Sequence, residues 1–270
     1  MAEKLARDLA GKVKIEDAGF DWKILGPDVA ELPYVAWQAD QDAYACSGQK
    51  CSAQSLLFAH RAWVKAGFFD EMARLASRRS LADLTAGPVL TWTTAAMRAH
   101  IDALLAIPGA RLLFGGGELA GHTIPACYGA LEPTAVFVPL RQLRKKRYFG
   151  TATTEVFGPV QVVTEYRSRD IDAVLDVTER LDAALTAAVV SNDEQFRNYV
   201  LSRTVNGTTY GGIRARTTGA PQNHWFGPSG DPRGAGIGTK EAIQLVWSAH
   251  REVIDDVGPV PADWTAPPPS

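Results

Sequence analysis

The strongest constraint on the fold is a regular alternation of strand and helix patterns in the second half of the chain. The predicted order is strand Val160–Tyr166, helix Ile171–Ala184, buried strand Leu185–Val190, helix Asp193–Arg203 and strand Val205–Tyr210. Short apolar strands joined by helices form βαβ units, whose helices cover a parallel sheet. The sequence therefore predicts an α/β fold with a mostly parallel sheet flanked by helices.

The rest of the chain carries weaker patterns of the same kinds. We predict further helices at Ala2–Ala10, Phe68–Arg79, Thr94–Ala106 and Lys240–Val253, and strands at Val13–Glu16, Leu56–His60, Arg111–Phe114 and Thr134–Val138. The segment Gly211–Gly238 is rich in glycine, proline and polar residues, and its length is typical of a functional loop. The proline-rich tail Gly258–Ser270 is predicted to be extended and poorly packed.

Composition excludes several classes of protein. Hydrophobic residues make up 46% and charged residues 21% of the 270 residues, which indicates a folded globular protein. Lys and Arg number 28 against 30 Asp and Glu, so the formal charge of -2 gives no general attraction to nucleic acid or anionic lipid. No apolar run approaches the roughly 18 residues of a membrane-spanning helix. We expect a soluble protein with no nucleic-acid or membrane partner.

The cysteines and histidines narrow the chemistry further. Only Cys46, Cys51 and Cys127 are present, an odd and sparse set that does not resemble the disulfide framework of a secreted protein. A reducing compartment is therefore expected. The five histidines show no metal-ligand spacing with one another or with the cysteines, and we predict no metal site.

Cys51 is the candidate nucleophile. It follows Gly48 and Lys50, and a nearby cation or converging backbone N–H groups lower the pKa of a thiol and increase its thiolate fraction. Taken alone, a cysteine in such a segment is as compatible with a small buried hydrophobic residue. The interpretation as a nucleophile depends on the surrounding motif.

That motif resembles the aldehyde dehydrogenase superfamily. The segment Gly48-Gln49-Lys50-Cys51 is similar to the Gly-Gln-x-Cys segment of its nucleophile, and Glu155-Val-Phe157-Gly158-Pro159 is similar to its Glu-x-Phe-Gly-Pro element. Gly87-Pro88 and Glu132-Pro133-Thr134 fall where the superfamily has further short signatures. The joint occurrence of these elements in the same order makes chance similarity an insufficient explanation.

Two stretches, Gln41–Gln54 and Thr217–Thr239, look most like the plant-type delta-1-pyrroline-5-carboxylate dehydrogenases, which oxidise glutamate 5-semialdehyde to glutamate in proline catabolism. The resemblance runs from about Ala2 to about Pro259 and covers only the later half of the family's protein. It implies a catalytic domain lacking most of the N-terminal cofactor-binding domain, an incomplete NAD site and an inactive isolated chain. The implied division is a remnant of the cofactor domain at 1–17, the catalytic domain at 18–239, a helix and oligomer-contact segment at 240–257 and a tail at 258–270.

The resemblance also implies roles for individual residues. Cys51 corresponds to the thiol that forms a thiohemiacetal and then a thioester, and Glu16 to the general base for the hydrolytic water. Glu16 is followed by Asp17-Ala18-Gly19, where the family has Leu-Gly-Gly. Glu155 corresponds to the residue that accepts hydrogen bonds from the nicotinamide ribose, and Phe157 to an aromatic residue beside the nicotinamide.

Four further residues correspond to the family's aldehyde site. Ser52, Gly219 and Ala220 match positions that hold the substrate carboxylate through one hydroxyl and backbone N–H groups. Ala220 stands where the family has serine, so only its N–H remains. Phe226 matches an aromatic residue that walls the aldehyde tunnel.

The resemblance implies a small-molecule aldehyde as partner and a homo-oligomer for the full-length protein. It implies the mitochondrial matrix for a eukaryotic protein and the cytoplasm otherwise. Three alternatives stay open from the sequence: a non-enzymatic module that pairs with complete subunits, an enzyme that oxidises a different aldehyde, and a thiol esterase that uses Cys51 and Glu16 without a cofactor.

Overall fold

The computed structural model describes residues 2–10, 12–15, 19–182, 184–218, 227, 229, 236–248, 251–255 and 257–266. Its strands are β1 Asp21–Leu25, β2 Gln54–His60, β3 Arg111–Phe114, β4 Thr134–Phe137, β5 Val160–Tyr166, β6 Thr186–Val190 and β7 Thr208–Gly211. They form one sheet in the order β3-β4-β5-β2-β1-β6-β7. Neighbouring strands are parallel except for the antiparallel pair β3 and β4. The predicted mostly parallel α/β sheet is confirmed.

Helices cover both faces of this sheet. They are α1 Ala2–Asp8, α2 Leu32–Tyr44, α3 Arg61–Lys65, α4 Phe68–Ala76, α5 Thr94–Leu105, α6 Leu140–Leu143, α7 Lys146–Ala152, α8 Ile171–Glu179, α9 Glu194–Leu201 and α10 Lys240–Trp247, with 3-10 turns at Ala45–Gly48 and Ser168–Asp170. Every predicted helix is present, but each ends earlier than predicted. Helix α8 stops at Glu179 because the residues after it must return the chain to β6, and α10 stops at Trp247.

The sequence patterns do not predict β1 or α2, although β1 lies in the middle of the sheet. Asp21 and Lys23 interrupt the apolar run of this strand, yet both side chains are fully buried. The predicted strand Val13–Glu16 is wrong for the described residues 12–15, where only Ile15 forms a bridge.

The core has two layers, one on each face of the sheet. Alternate residues of a strand face opposite sides, so Trp22 and Ile24 pack against the layer of α5 to α9, whereas Leu25 packs against α2 to α4. Each large apolar side chain that is fully buried contributes about 1.5–3 kcal/mol to folding. The two layers hold the parallel strands rigidly, so that the segments preceding them meet at one edge of the sheet.

No helix in the described ranges is long and apolar enough to cross a bilayer.

Candidate active site

Cys51 lies in the turn between α2 and β2. Three consecutive residues ahead of it, Cys46, Ser47 and Gly48, have positive φ angles of 56°, 55° and 70°. A left-handed conformation costs about 1–2 kcal/mol for a residue with a Cβ atom, so the surrounding contacts must hold Cys46 and Ser47 in place. The turn places Cys51 just before the amino end of β2. Cys51 is half-buried, whereas Cys46 and Cys127 are exposed.

A close backbone contact joins the cysteine loop to the Glu155–Pro159 element. A Cβ atom on Gly48 would lie 2.2 Å from the carbonyl oxygen of Gly158 and 3.0 Å from that of Ala43. Only glycine fits this position, because neither carbonyl is the movable end of a side chain. The two motifs that carried the resemblance in the sequence, Gly48–Cys51 and Glu155–Pro159, therefore touch in the fold.

The side chain of Gln49 clamps a third motif against the cysteine loop. Its Nε2 donates to the carbonyl oxygen of Pro88 at 2.9 Å, and its Oε1 accepts from the backbone N–H of Leu90 at 2.8 Å. Beside it, Ser47 Oγ accepts from the N–H of Gly87 at 2.8 Å. The short Gly87-Pro88 signature is thus the backbone partner of the residues that precede Cys51.

Gly19 lies between Cys51 and Glu155. A Cβ atom on Gly19 would be 2.7 Å from the carbonyl oxygen of Cys51. Its backbone N–H donates to Glu155 Oε2 at 3.5 Å, a long hydrogen bond. The residues before β1 and β2 meet because Asp21 and Gln54 are register partners in the parallel pair. The backbone carbonyl of Cys51 and the half-buried carboxylate of Glu155 therefore flank one backbone residue.

Phe157 is half-buried and lies in the same element as Glu155. Its carbonyl oxygen accepts a weak hydrogen bond from Thr91 Oγ1 at 3.4 Å. The next residue, Gly158, is the one that packs against Gly48. The backbone on both sides of the aromatic ring is thereby held near the cysteine loop.

A chain of buried polar side chains supports the site from within the sheet. Gln54 Nε2 donates to Gln161 Oε1 at 2.7 Å, and Gln161 Nε2 donates to the hydroxyl of Tyr44 at 2.7 Å. That hydroxyl donates to the carbonyl oxygen of Thr134 at 3.1 Å. Burial raises the pKa of Tyr44 above its ordinary value of 10, so the hydroxyl stays protonated and can donate. This series of hydrogen bonds fixes α2, β2, β4 and β5 relative to one another.

The predicted aldehyde-site residues are only partly described. Ser52 is buried next to Cys51. Thr217 and Thr218, which precede the predicted anion loop, are buried and donate their backbone N–H groups to Asp42 at 2.8 and 3.2 Å. The other predicted site residues, Glu16, Gly219, Ala220 and Phe226, lie outside the described residues.

The sequence interpretation did not identify Lys23 and Asp42 as residues of the site. Lys23 Nζ lies 2.7 Å from Asp42 Oδ2, and both side chains are fully buried. A single charged residue inside an apolar run, as in Trp22-Lys23-Ile24-Leu25, is a signal for a buried ion pair. Its partner on α2 has no comparable signal, because the contact arises only when α2 packs on the sheet.

Comparison with known proteins gives three relevant similarities. The Aldehyde dehydrogenase family profile matches residues 2–244. The chain is 63% identical over 269 residues to "Delta-1-pyrroline-5-carboxylate dehydrogenase 12A1, mitochondrial" of Arabidopsis thaliana, an alignment that covers 99% of this chain and 48% of that protein. It is 64% identical over 268 residues to a probable aldehyde dehydrogenase of Linum usitatissimum, covering 99% of this chain and 49% of the relative.

Among solved structures, the glyceraldehyde-3-phosphate dehydrogenase GapN of Methanocaldococcus jannaschii in complex with NADP matches with a TM-score of 0.73 and 17% identity. That match covers 91% of this chain and 50% of the other, and it supports the fold alone. The chain spans about half the length of the curated relatives that it matches.

Proposed function

The chain belongs to the aldehyde dehydrogenase family, and we propose that it forms the catalytic half of an enzyme that oxidises glutamate 5-semialdehyde to glutamate in proline catabolism. The observation that carries this proposal is the packing of the Gly48–Cys51 segment against the Glu155–Pro159 element. That contact brings a half-buried thiol, a carboxylate and an aromatic ring to one edge of the sheet. The Arabidopsis relative, whose name gives this activity, supports the choice of substrate.

Cys51 is the proposed nucleophile. Its thiolate forms a bond to the aldehyde carbon, and the carbonyl electron pair moves to oxygen to give a thiohemiacetal. Loss of hydride from that carbon restores the carbonyl and leaves the acyl group on sulfur as a thioester. Water then adds to the thioester carbon, the carbon–sulfur bond breaks, and the carboxylate leaves with the thiolate restored. Covalent catalysis divides one difficult step into easier ones.

A nicotinamide cofactor supplies the hydride acceptor when bound, and we propose NAD for this role. Two residues of the chain fit its nicotinamide-ribose end. The half-buried carboxylate of Glu155 can accept hydrogen bonds from ribose hydroxyls, and the half-buried ring of Phe157 offers a flat apolar surface. The N–H of Gly19 already donates to Glu155, which orients the carboxylate before any hydroxyl approaches.

Glu16 is the proposed base for the hydrolytic step. A carboxylate beside a thioester can accept a proton from the attacking water. Gly19, only a few residues later in the chain, lies against the carbonyl oxygen of Cys51, which supports a short path between the two. In the esterase alternative the same water step follows attack of Cys51 on an ester, and no described contact favours that alternative.

The proposed aldehyde site recognises a carboxylate at the far end of the substrate. The hydroxyl of Ser52 and the N–H groups of Gly219 and Ala220 are its donors, with Phe226 as an aromatic wall. Ser52 is only 7% exposed, so a hydrogen bond from it to a charged group forms largely away from water. Hydrogen bonds to charged groups contribute about 1.5–3 kcal/mol each, and an aliphatic aldehyde leaves these donors unpaired.

The proposed compartment is the mitochondrial matrix, and the proposed assembly is a homo-oligomer of the full-length protein. The name of the Arabidopsis relative gives a mitochondrial location. The sparse cysteines, of which Cys46 and Cys127 are exposed, are consistent with a reducing compartment.

The experiment that tests the proposed reaction uses the full-length enzyme that contains this chain. Glutamate semialdehyde and NAD are supplied, and formation of NADH is followed by absorbance. Cys51→Ala should lower kcat by about a thousandfold or more, as removal of a covalent nucleophile does in other enzymes. Cys127→Ala, which removes an exposed thiol, is the matched control and should keep activity within about twofold of wild type. Cys51→Ala activity within tenfold of wild type would refute the assignment.

A second candidate function, association with complete subunits, is favoured by α10. Ala242 and Val246 on this helix are buried against the chain, whereas Ile243, Leu245 and Trp247 are exposed. A run of exposed apolar side chains on one helix is typical of a surface that another protein covers. A chain without dehydrogenase activity that still binds complete subunits through α10 would support this alternative.

A further inference from the structure

Asp42 is the most heavily hydrogen-bonded carboxylate among the described residues. One of its oxygens, Oδ2, accepts from Lys23 Nζ at 2.7 Å and from the N–H of Thr217 at 2.8 Å. The other, Oδ1, accepts from the N–H and Oγ1 of Thr218 at 3.2 and 2.9 Å and from Gln38 Nε2 at 3.2 Å. Both oxygens are thus saturated by donors from three separate parts of the fold.

Those three parts are the interior strand β1, the helix α2 and the segment that follows β7. Lys23 lies on β1, and Asp42 and Gln38 lie on α2, so the carboxylate itself is held by regular structure. Thr217 and Thr218 lie in neither a helix nor a strand. Their N–H groups therefore do not take part in helix or sheet hydrogen bonding. Two successive N–H groups that donate to one carboxylate fix the direction of the backbone at that point.

We propose that the Lys23–Asp42 pair is a positioning device that fixes the backbone at Thr217 and Thr218, which directly precede Gly219 and Ala220 in the sequence. The inference rests on the proposed function, because those two residues are its carboxylate donors. Asp42 does not touch the substrate. It acts through Thr217 and Thr218, whose anchored N–H groups define the start of the loop.

The chemistry of a buried ion pair favours positioning over stability. Removing two charges from water is costly, and a buried pair is often replaced by apolar residues of similar volume without loss of stability. Such a pair gives directional hydrogen bonds that apolar packing cannot supply. An aliphatic side chain in place of Asp42 would fill the space but would leave the N–H groups of Thr217 and Thr218 without their acceptor.

The test uses the full-length enzyme that contains this chain. Asp42→Asn alone leaves Lys23 buried without its charged partner and can unfold the protein, so the deciding variant is the double substitution Lys23→Met/Asp42→Leu. A second buried ion pair provides the matched control. Arg79 Nη2 lies 2.6 Å from Asp40 Oδ2, also on α2, and Arg79 Nη1 donates to the carbonyl oxygen of Thr85. The described hydrogen bonds of this pair therefore connect α2 to residues 79–85. The control variant is Arg79→Met/Asp40→Leu.

Two readouts separate positioning from general stability. Hydrogen exchange by mass spectrometry should show the backbone after β7 exchanging about tenfold faster in Lys23→Met/Asp42→Leu, because two amide acceptors are lost. The KM for glutamate semialdehyde should rise about tenfold or more, whereas kcat/KM for hexanal should change by less than about threefold. The control should change neither the exchange of this segment nor the ratio between the two aldehydes.

Unchanged exchange in the folded double variant would overturn the inference, and so would an equal loss of activity towards both aldehydes. A wild-type enzyme that oxidised hexanal as efficiently as glutamate semialdehyde would refute the proposed substrate instead. The anchoring would then still be decided by the exchange measurement, which requires no substrate.

Discussion

Gly48 and Gly158 pack so closely that a Cβ atom on Gly48 would lie 2.2 Å from the carbonyl oxygen of Gly158. The contact joins the loop that carries Cys51 to the element that carries Glu155 and Phe157. Gly48 also has a positive φ angle. The close contact and the left-handed backbone are two separate reasons why glycine is needed at this position.

Gly48→Ala should therefore destabilise the fold and disturb the site. The left-handed conformation alone costs about 1–2 kcal/mol, and the clash with a backbone carbonyl adds to it. Gly67→Ala is the matched control, since Gly67 also has a positive φ of 88° but has open space around its missing side chain. The free energy of unfolding from denaturant titration should fall by about 3 kcal/mol or more for Gly48→Ala and by about 1 kcal/mol for Gly67→Ala. Equal losses would show that the contact with Gly158 is not tight.

Cys51 should react with iodoacetamide faster than Cys46 or Cys127 at neutral pH, although it is the least exposed of the three. The rate of alkylation follows the thiolate fraction as well as access, and a nucleophile must be activated. Mass spectrometry of peptides after brief labelling gives the three rates. Equal labelling, or slower labelling of Cys51, would argue against an activated thiol in this chain.

Ser52→Ala in the full-length enzyme should reduce the preference for glutamate semialdehyde over hexanal. Loss of one hydrogen bond to the substrate carboxylate corresponds to about tenfold in the ratio of kcat/KM values. Ser55→Ala, on β2, is the control for a serine-to-alanine change nearby. The assignment of Ser52 fails if the ratio is the same in wild type and Ser52→Ala.

Acidification should weaken the fold in part through His100. Burial lowers the pKa of its imidazole below the ordinary value of 6.5, so the unfolded chain binds this proton at a higher pH than the folded chain does. As the pH falls from about 7.5 to about 5.5, the unfolded state gains protons first and the fold loses stability. Thermal unfolding should therefore show a smaller drop in Tm over this range for His100→Gln. Parallel curves for the two proteins would exclude His100 as a contributor.

The isolated chain should associate in solution through α10. Leu245 is 77% exposed and Trp247 62% exposed, and exposed apolar side chains on one helix favour association. Leu245→Glu/Trp247→Glu should shift the protein towards monomer in light scattering at about micromolar concentration. Leu84→Glu changes a 90% exposed leucine elsewhere and should have no such effect. A wild-type chain that is already monomeric would contradict the prediction.

Periodicity in the sequence was sufficient for several strands and for most of the positions where the predicted helices begin. Strands β3 and β5 form where they were predicted, because apolar residues make up more than half of each. Helix α5 begins at Thr94 as predicted, and α9 begins at Glu194, one residue after its predicted start. The side chains of Thr93 and Asp193 cap N–H groups in the first turns of these helices. Helix ends were less predictable, because they depend on where the backbone must leave the helix to reach the next strand.

The motifs around Cys51 and Glu155 could be recognised in the sequence through their resemblance to those of the aldehyde dehydrogenase family. Their meeting was decided only by the tertiary structure. Parallel strands put the segments before β1, β2 and β5 at one edge, and Gly19 then fits between the carbonyl of Cys51 and the carboxylate of Glu155.

The Lys23–Asp42 pair shows most clearly the difference between what the sequence predicts and what the tertiary structure decides. The sequence patterns did not predict β1, whose apolar residues are interrupted by Lys23. The charge is tolerated because α2 packs over the sheet and brings Asp42 within 2.7 Å of it. A sequence pattern records which residues are apolar, and so it predicted most of the strands and helices. The reactive segment was identified by its resemblance to a family motif. Compensation between two charges far apart in the chain depends on distance, which only the packed fold determines.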